Sequence, residues 1–201
     1  MALAMAASTG QAADLGIMPA FAPAFGWSGL YVGANASLGL ARIAGADFQG
    51  VMGGGHGGIN FLVTGPLVLG IEGDVSASDL ATTTTISILG VPTAIRSRTY
   101  GTATLRGRAG FAIERFMAYG TAGYGVAANT MSSTIAGVTA TDARLHHGLA
   151  YGGGVEFRIL PALSLRGEYL RAHYGSEDYF GGIPSGAIKT NTIRVGISYI
   201  R

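Results

Sequence analysis

Ten charged side chains could do chemistry if the fold gathered them: Glu72, Asp74, Arg106, Arg108, Arg144, Glu156, Arg158, Arg166, Glu168 and Arg194. Carboxylates and guanidiniums in a confined space either neutralise one another in a packed network or line a constriction that selects ions. A second set carries ligand atoms: His146, His147, His173, Tyr174 and Tyr179. Imidazole and phenol are axial ligands for haem iron, although no spacing here enforces convergence. A hydrolase would need serine, histidine and acid to meet. Ser132, Ser133, Asp142 and His147 offer the types, but on a segment with no fixed spacing. Adjacent His146 and His147 would point to opposite faces of a strand, so metal binding by the pair is not expected. Gly53-Gly-Gly-His-Gly-Gly58 lacks the Lys-Ser/Thr of a phosphate loop and precedes no helix, so it reads as strand. The absence of cysteine removes disulfides, thiolate metal sites and thiol nucleophiles. No enzyme activity is expected, and no cofactor is required.

What elements could position the ten charges? Only 12 % of residues are charged and 48 % are hydrophobic, with a mean hydropathy of +0.38 and 34 glycines. An ordinary soluble surface carries about 25 % charged residues. The net charge of +2, from cations scattered singly, gives no footprint for nucleic acid. A spanning helix needs about 20 mostly apolar residues, and the long uncharged stretches, such as 15–41, are broken by Gly and Pro. A closed β-barrel remains, because it pairs every backbone group between strands.

The pattern such a barrel demands can be counted. From Trp27, Leu30, Val32, Ala34, Ala36, Leu38 and Leu40 fall on one face, while Tyr31, Gly33, Asn35 and Ser37 fall on the other. Seven further strands are expected at 51–63, 67–78, 98–112, 116–129, 144–159, 163–174 and 189–201, with connections of 10, 3, 19, 3, 14, 3 and 14 residues. Alternating long and short connections are those of an all-β, eight-stranded antiparallel up-and-down transmembrane β-barrel, with tight turns at one end and long loops at the other. Both termini then lie on the short-turn, periplasmic side. Residues 1–12 read as a signal-peptide remnant without its basic region, residues 13–26 as a Pro- and Ala-rich periplasmic lead-in, and residues 27–201 as the barrel.

Parity tests the assignment. All ten charges named above fall inward, whereas the outward parity carries charge only at Arg171, Lys189 and Arg201, near strand ends. Tyr124, Tyr151, Tyr169 and Tyr199 fall outward, as girdle residues at the membrane interfaces should.

Ordered segments carry a family resemblance: Trp27-Ser-Gly-Leu-Tyr-Val-Gly-Ala-Asn35, Leu69-Gly-Ile-Glu-Gly-Asp74, Leu105-Arg-Gly-Arg-Ala-Gly110, Gly152-Gly-Gly-Val-Glu-Phe157, Leu163-Ser-Leu-Arg-Gly-Glu-Tyr169 and Ile193-Arg-Val-Gly-Ile-Ser-Tyr199. Together they resemble small Gram-negative outer-membrane β-barrel proteins, the porin-like family similar to the OmpA transmembrane domain. The resemblance implies an outer-membrane location, contact with lipid and lipopolysaccharide, and insertion by the barrel-assembly machinery. It also implies a structural, small-porin or haemin-binding surface role. Such barrels end in an aromatic residue, whereas this chain ends Tyr199-Ile200-Arg201. Either Tyr199 serves that role or insertion is less efficient.

Three functional readings follow: an envelope protein of structural or surface role, a small-solute porin, and a surface protein that uses its loops to hold haem or a host ligand. An eight-stranded interior is only just wide enough for side chains to fill, which favours the first. The expected closure is a network of Glu72, Asp74, Arg106, Arg108, Glu156, Arg166, Glu168 and Arg194, centred on Glu72, Arg106, Arg166 and Glu168. Six inward cations (Arg106, Arg108, Arg144, Arg158, Arg166, Arg194) against four inward anions predict a leak that favours anions.

Overall fold

The computed structural model describes residues 26–43, 46–88, 91–135, 138–179, 183–184 and 187–201. Nearly all of them are strand. Antiparallel pairs join β1 (Gly29–Ile43), β2 (Ala46–Thr64), β3 (Leu67–Ile88), β4 (Val91–Ile113), β5 (Phe116–Ile135), β6 (Val138–Leu160) and β7 (Leu163–Tyr174) in chain order. Two short strands, β8 (Asp178–Tyr179) and β9 (Ile183–Pro184), pair only with each other, and β10 (Ile188–Ile200) pairs with both β7 and β1 to close the ring. This is the expected eight-stranded up-and-down barrel. The expected signal remnant (1–12) and nearly all of the lead-in (13–26) lie outside the described residues.

Alternation decides which residues face where. Leu30, Val32, Leu38, Val51, Leu105, Leu149 and Val195 are each more than 60 % exposed, an arrangement that only a lipid-facing wall makes favourable. Tyr124, Tyr151, Tyr169 and Tyr199 are exposed on that wall, as expected. The short connections reverse at Gly65-Pro66, Glu114-Arg115 and Pro161-Ala162. Gly65 and Glu114 take left-handed φ values of 51° and 50° to do so, the first at little steric cost.

The opposite end differs from expectation. In place of connections of 10, 19 and 14 residues, only positions 44–45, 89–90 and 136–137 separate β1 from β2, β3 from β4 and β5 from β6. The segments expected to be loops are paired strand. Their β-branched residues pair across the hairpins: Thr84 lies opposite Ile95 in register, and the hydroxyls of Thr134 and Thr139 meet at 2.9 Å. Pairing of β2 with β3 stops at Ser78 and that of β6 with β7 at Gly148, so β3 to β6 rise beyond the barrel as a four-stranded sheet.

Candidate functional site

Register places the inward charges beside one another. Glu72 on β3 lies opposite Arg106 on β4, Glu156 on β6 opposite Arg166 on β7, and Glu168 on β7 opposite Arg194 on β10. Side chains then reach across the lumen. Arg106 is the hub: Nη2 donates to Glu72 Oε1 at 2.7 Å and to Asp74 Oδ2 at 2.8 Å, Nη1 to Glu168 Oε1 at 3.1 Å, and Nε to Thr104 Oγ1 at 2.9 Å. Thr104 in turn donates to Asp74. From the far wall Arg166 grips Glu72 with both Nη atoms, Nη2 to Oε1 at 3.0 Å and Nη1 to Oε2, the planar fork matching the carboxylate. Arg194 Nη1 lies 3.1 Å from Asp74 Oδ1, an ion pair whose angle falls short of a hydrogen bond.

Arg108 completes the layer nearer the tight turns. Its guanidinium sits 4.1 Å from the Tyr119 ring centroid, donates to Glu156 Oε2 at 2.9 Å and to the Tyr31 hydroxyl at 3.1 Å. Tyr31 donates its own hydroxyl hydrogen bond to Glu72 Oε2 at 2.8 Å, Tyr119 donates to Glu168 Oε2 at 3.0 Å, and Ser164 to Glu156 Oε1 at 2.5 Å. All eight expected network residues are at most 4 % exposed. Buried charges are tolerated only when paired and hydrogen-bonded, and here each carboxylate has at least two donors or cations.

The other two charges of inward parity, outside the expected eight, lie elsewhere, and their positions correct the charge balance. Arg144 is inward by parity but stands above the barrel rim, exposed, with Nη2 3.0 Å from Asp142. Arg158 closes the tight-turn end: it lies 4.9 Å from the Trp27 ring and donates to the carbonyls of Gly26 and Pro161. The central layer therefore holds Arg106, Arg108, Arg166 and Arg194 against Glu72, Asp74, Glu156 and Glu168. Four cations balance four anions, so the expected anion preference of a leak does not follow.

Several participants were not singled out from the sequence, although alternation places each inside. Trp27 is fully buried, donates Nε1 to the Glu114 carbonyl at 3.0 Å and packs with Val68, Ala112, Met117 and Tyr119 as a stopper at the tight-turn end. Tyr31 and Tyr119 sandwich Arg108. His56, hidden in the glycine run, accepts from Asn35 Nδ2 at its Nδ1 (3.3 Å), which leaves Nε2 to donate to Ser198 Oγ at 2.8 Å. Glycines on the opposing strands make the room: a Cβ at Gly33 would stand 2.5 Å from His56 Nε2, and one at Gly154 2.9 Å from the Tyr119 hydroxyl. Above the network a cavity of about 20 Å³, lined by Met52, Thr104, Tyr174, Ile188 and Arg194 among others, has room for about one water.

The rim set does not converge. Strand alternation sends His146 and Tyr174 inward and His147 and His173 outward. His146 is fully buried, its Nδ1 2.9 Å from the Gly175 carbonyl and its Nε2 2.9 Å from the Tyr179 hydroxyl. These bonds draw the chain after β7 over the barrel mouth, and burial pushes the Tyr179 phenol up to about 12, with Asp142 adding to the shift. His147 pairs with the Tyr124 hydroxyl at 2.8 Å on the outer wall, and His173 Nε2 accepts from Arg171 Nε at 2.8 Å. Tyr174 lies 3 % exposed in an apolar cluster with Met52, Leu170 and Ile188. The five residues expected at the haem rim are therefore divided, His146, Tyr174 and Tyr179 on the inner side of the wall and His147 and His173 on the outer, and do not meet as one set. The hydrolase set is likewise dispersed, with Ser132 bonded to Thr141 and Asp142 facing Arg144.

Comparison with known proteins comes to the same architecture. Residues 1–200 match the family model described as "Outer membrane protein beta-barrel domain". The "22 kDa outer membrane protein" of Rhizobium leguminosarum bv. viciae is 29 % identical over 180 residues, which cover 87 % of this chain and 78 % of that protein. Among solved structures, Neisserial surface protein A superposes with a TM-score of 0.53 at 15 % identity, covering 87 % of this chain and 98 % of that one, a likeness of fold. Ail of Yersinia pestis gives 0.48 at 16 % identity over 86 % of this chain and 98 % of its own, too distant to carry argument.

Proposed function

The chain belongs to the outer-membrane β-barrel family, and from that membership we propose that it is a non-enzymatic envelope protein whose closed lumen makes it a scaffold for surface hairpins, not a pore. The observation that carries this reading is the balanced layer of four arginines and four carboxylates across the interior, with Trp27 and Arg158 below it and Tyr179 above. Water and ions crossing the barrel would have to break several buried, mutually bonded pairs at once. Outside the membrane the long hairpins of β3 to β6 present Thr- and Ser-rich strand to the medium, and both termini face the periplasm.

Planar-bilayer recording of the refolded full chain tests the closure. The expected record is brief, small openings at most. Steady, wide, ohmic channels would refute closure and establish the porin alternative. Orientation is tested separately: Thr83→Cys, at an exposed position of the β3–β4 hairpin, should react with a membrane-impermeant maleimide on intact cells, and failure to label would reverse the topology.

A further inference from the structure

Above the barrel rim the four-stranded sheet of β3 to β6 ends in two edges, and one of them is complementary to itself. On β6, pairing with β7 stops at Gly148, and the last backbone bond on that side among the described residues runs from Gly175 N–H to the His147 carbonyl at 2.8 Å. The β5–β6 register continues from Val138 to Phe157 without a shift, so every residue of His147's parity turns its backbone the same way. Thr141, Ala143 and Leu145 therefore aim N–H and C=O away from β5, and all three are exposed. Such an edge is a template for another strand unless Pro, Lys or a bulge blunts it, and residues 138–145 contain none of these.

Charge selects the strand that fits. Place a two-fold axis at Ala143, perpendicular to the sheet, and Ala143 faces Ala143 of a second copy, Thr141 faces Leu145, and Asp142 faces Arg144 on both sides of the axis. The odd-numbered pairs exchange backbone bonds, and the Asp142–Arg144 pairs fall at the closer, non-hydrogen-bonded positions, where opposite charges are favourable. Within one chain Asp142 and Arg144 already meet at 3.0 Å, so pairing across the axis exchanges one ion pair for another. The edge of β3 lacks this property: residues 79–88 carry one charge, Asp79, which Arg98 holds at 3.0 Å, and offer no cation to a copy. The axis also reverses strand direction. Copies in one membrane run their β6 strands the same way and cannot form this ladder, so the second copy stands in a facing membrane. Gly148 lies five residues from the axis on each copy, which sets the two rims about 33 Å apart along the strand.

We propose that the β6 edge, residues 141–145, docks antiparallel onto the same edge of a second copy of this chain in a facing membrane. The assignment rests on the surface hairpins proposed above. So short a ladder binds weakly as a single contact, and many copies on two facing membranes hold together by acting at once. The test uses two populations of phosphatidylcholine vesicles with different dyes, each carrying the refolded full chain, with co-diffusion read by fluorescence cross-correlation. Wild-type vesicles should co-diffuse. Asp142→Arg and Arg144→Asp should each lose co-diffusion, because each sets like charges across the axis. Mixing Asp142→Arg vesicles with Arg144→Asp vesicles should restore it, because the facing charges are opposite again while the bond within each chain stays broken. Ala143→Pro removes an outward N–H, a change an edge strand tolerates, and should also lose co-diffusion. Unchanged Trp27 emission shows that each variant is folded. No co-diffusion of the wild type, single charge variants that dock as well as the wild type, or a mixture that fails to dock overturns the proposal. Docking of wild-type vesicles onto protein-free ones would make lipid the occupant and overturns it too. The Thr83→Cys label on cells reads orientation independently, so a reversed barrel and an indifferent edge give different results.

Discussion

Removing Glu72 should damage this protein in a way that removing Arg106 mirrors in sign. Glu72 accepts from Arg106, from both terminal nitrogens of Arg166 and from Tyr31. In Glu72→Ala, Arg106 keeps Asp74 and Glu168, but Arg166 keeps only Glu168, at 3.7 Å. Leaving a buried charge without its partner costs about 3–5 kcal/mol. Arg106→Ala frees Glu72, Asp74 and Glu168 to repel one another and should cost a similar amount. Because the layer is balanced, the first variant leaves four cations against three anions, and the second the reverse. Openings of Glu72→Ala should therefore favour anions and those of Arg106→Ala should favour cations. In the double variant the layer is balanced again, so its cost should fall short of the sum of the single costs by roughly 0.5–3 kcal/mol, as for other contacting residues. Guanidinium unfolding in micelles gives the energies, and reversal potentials across a salt gradient give the selectivity. Identical selectivity in the two single variants, or strictly additive stabilities, would show that the network is not the coupled gate described here.

Charge on the lipid face should be costly wherever the wall is central: Val195→Arg and Leu105→Arg should each lower stability by about 2–4 kcal/mol in lipid, measured by unfolding from vesicles. The inward Thr104→Arg is not a benign counterpart, because Thr104 is buried between Asp74 and Arg106; it should also destabilise, but by an amount independent of bilayer thickness. Trp27 is the one tryptophan of the chain and is fully buried, so its emission should be blue-shifted and resist acrylamide in the folded protein. Trp27→Ala should lower stability by about 3–5 kcal/mol by emptying the stopper. Tyr179→Phe removes the hydroxyl's bonds to His146 Nε2 and to the Asn129 carbonyl from the cover of the mouth, worth about 1–2 kcal/mol together, and should speed proteolysis after β7 while leaving the barrel's unfolding midpoint almost unmoved.

How much of this was legible follows from which physical rule acts at each height of the wall. Inside the membrane, lipid outside and packed charge inside impose one strict alternation, so Glu72, Arg106, Arg166, Glu168 and their neighbours could be placed from parity alone, as could the outward tyrosines. The same rule, which already puts Tyr31 on the inner face, also reaches Tyr119 and His56 when alternation is followed through residues that carry no net charge. Above the membrane both faces meet water and the apolar signal disappears. Strand there is maintained by β-branched cross-strand pairs such as Thr134 and Thr139, and a run like Thr82-Thr83-Thr84-Thr85 looks the same in a loop as in a hairpin. Parity also says nothing of height. Arg144, Arg158 and Arg106 share one face, yet one pairs with Asp142 in solvent, one caps carbonyls beside Trp27, and one bridges three carboxylates. Height is set by register, and register is set by where hairpins turn, which is the quantity that water-exposed strands conceal. The rim residues divide for the complementary reason: they share a height, but alternation through His146-His147 and His173-Tyr174 leaves His146, Tyr174 and Tyr179 inside the wall and His147 and His173 outside it. A site in a barrel needs both coordinates, and the balanced lumen layer is where the eight residues agree in both.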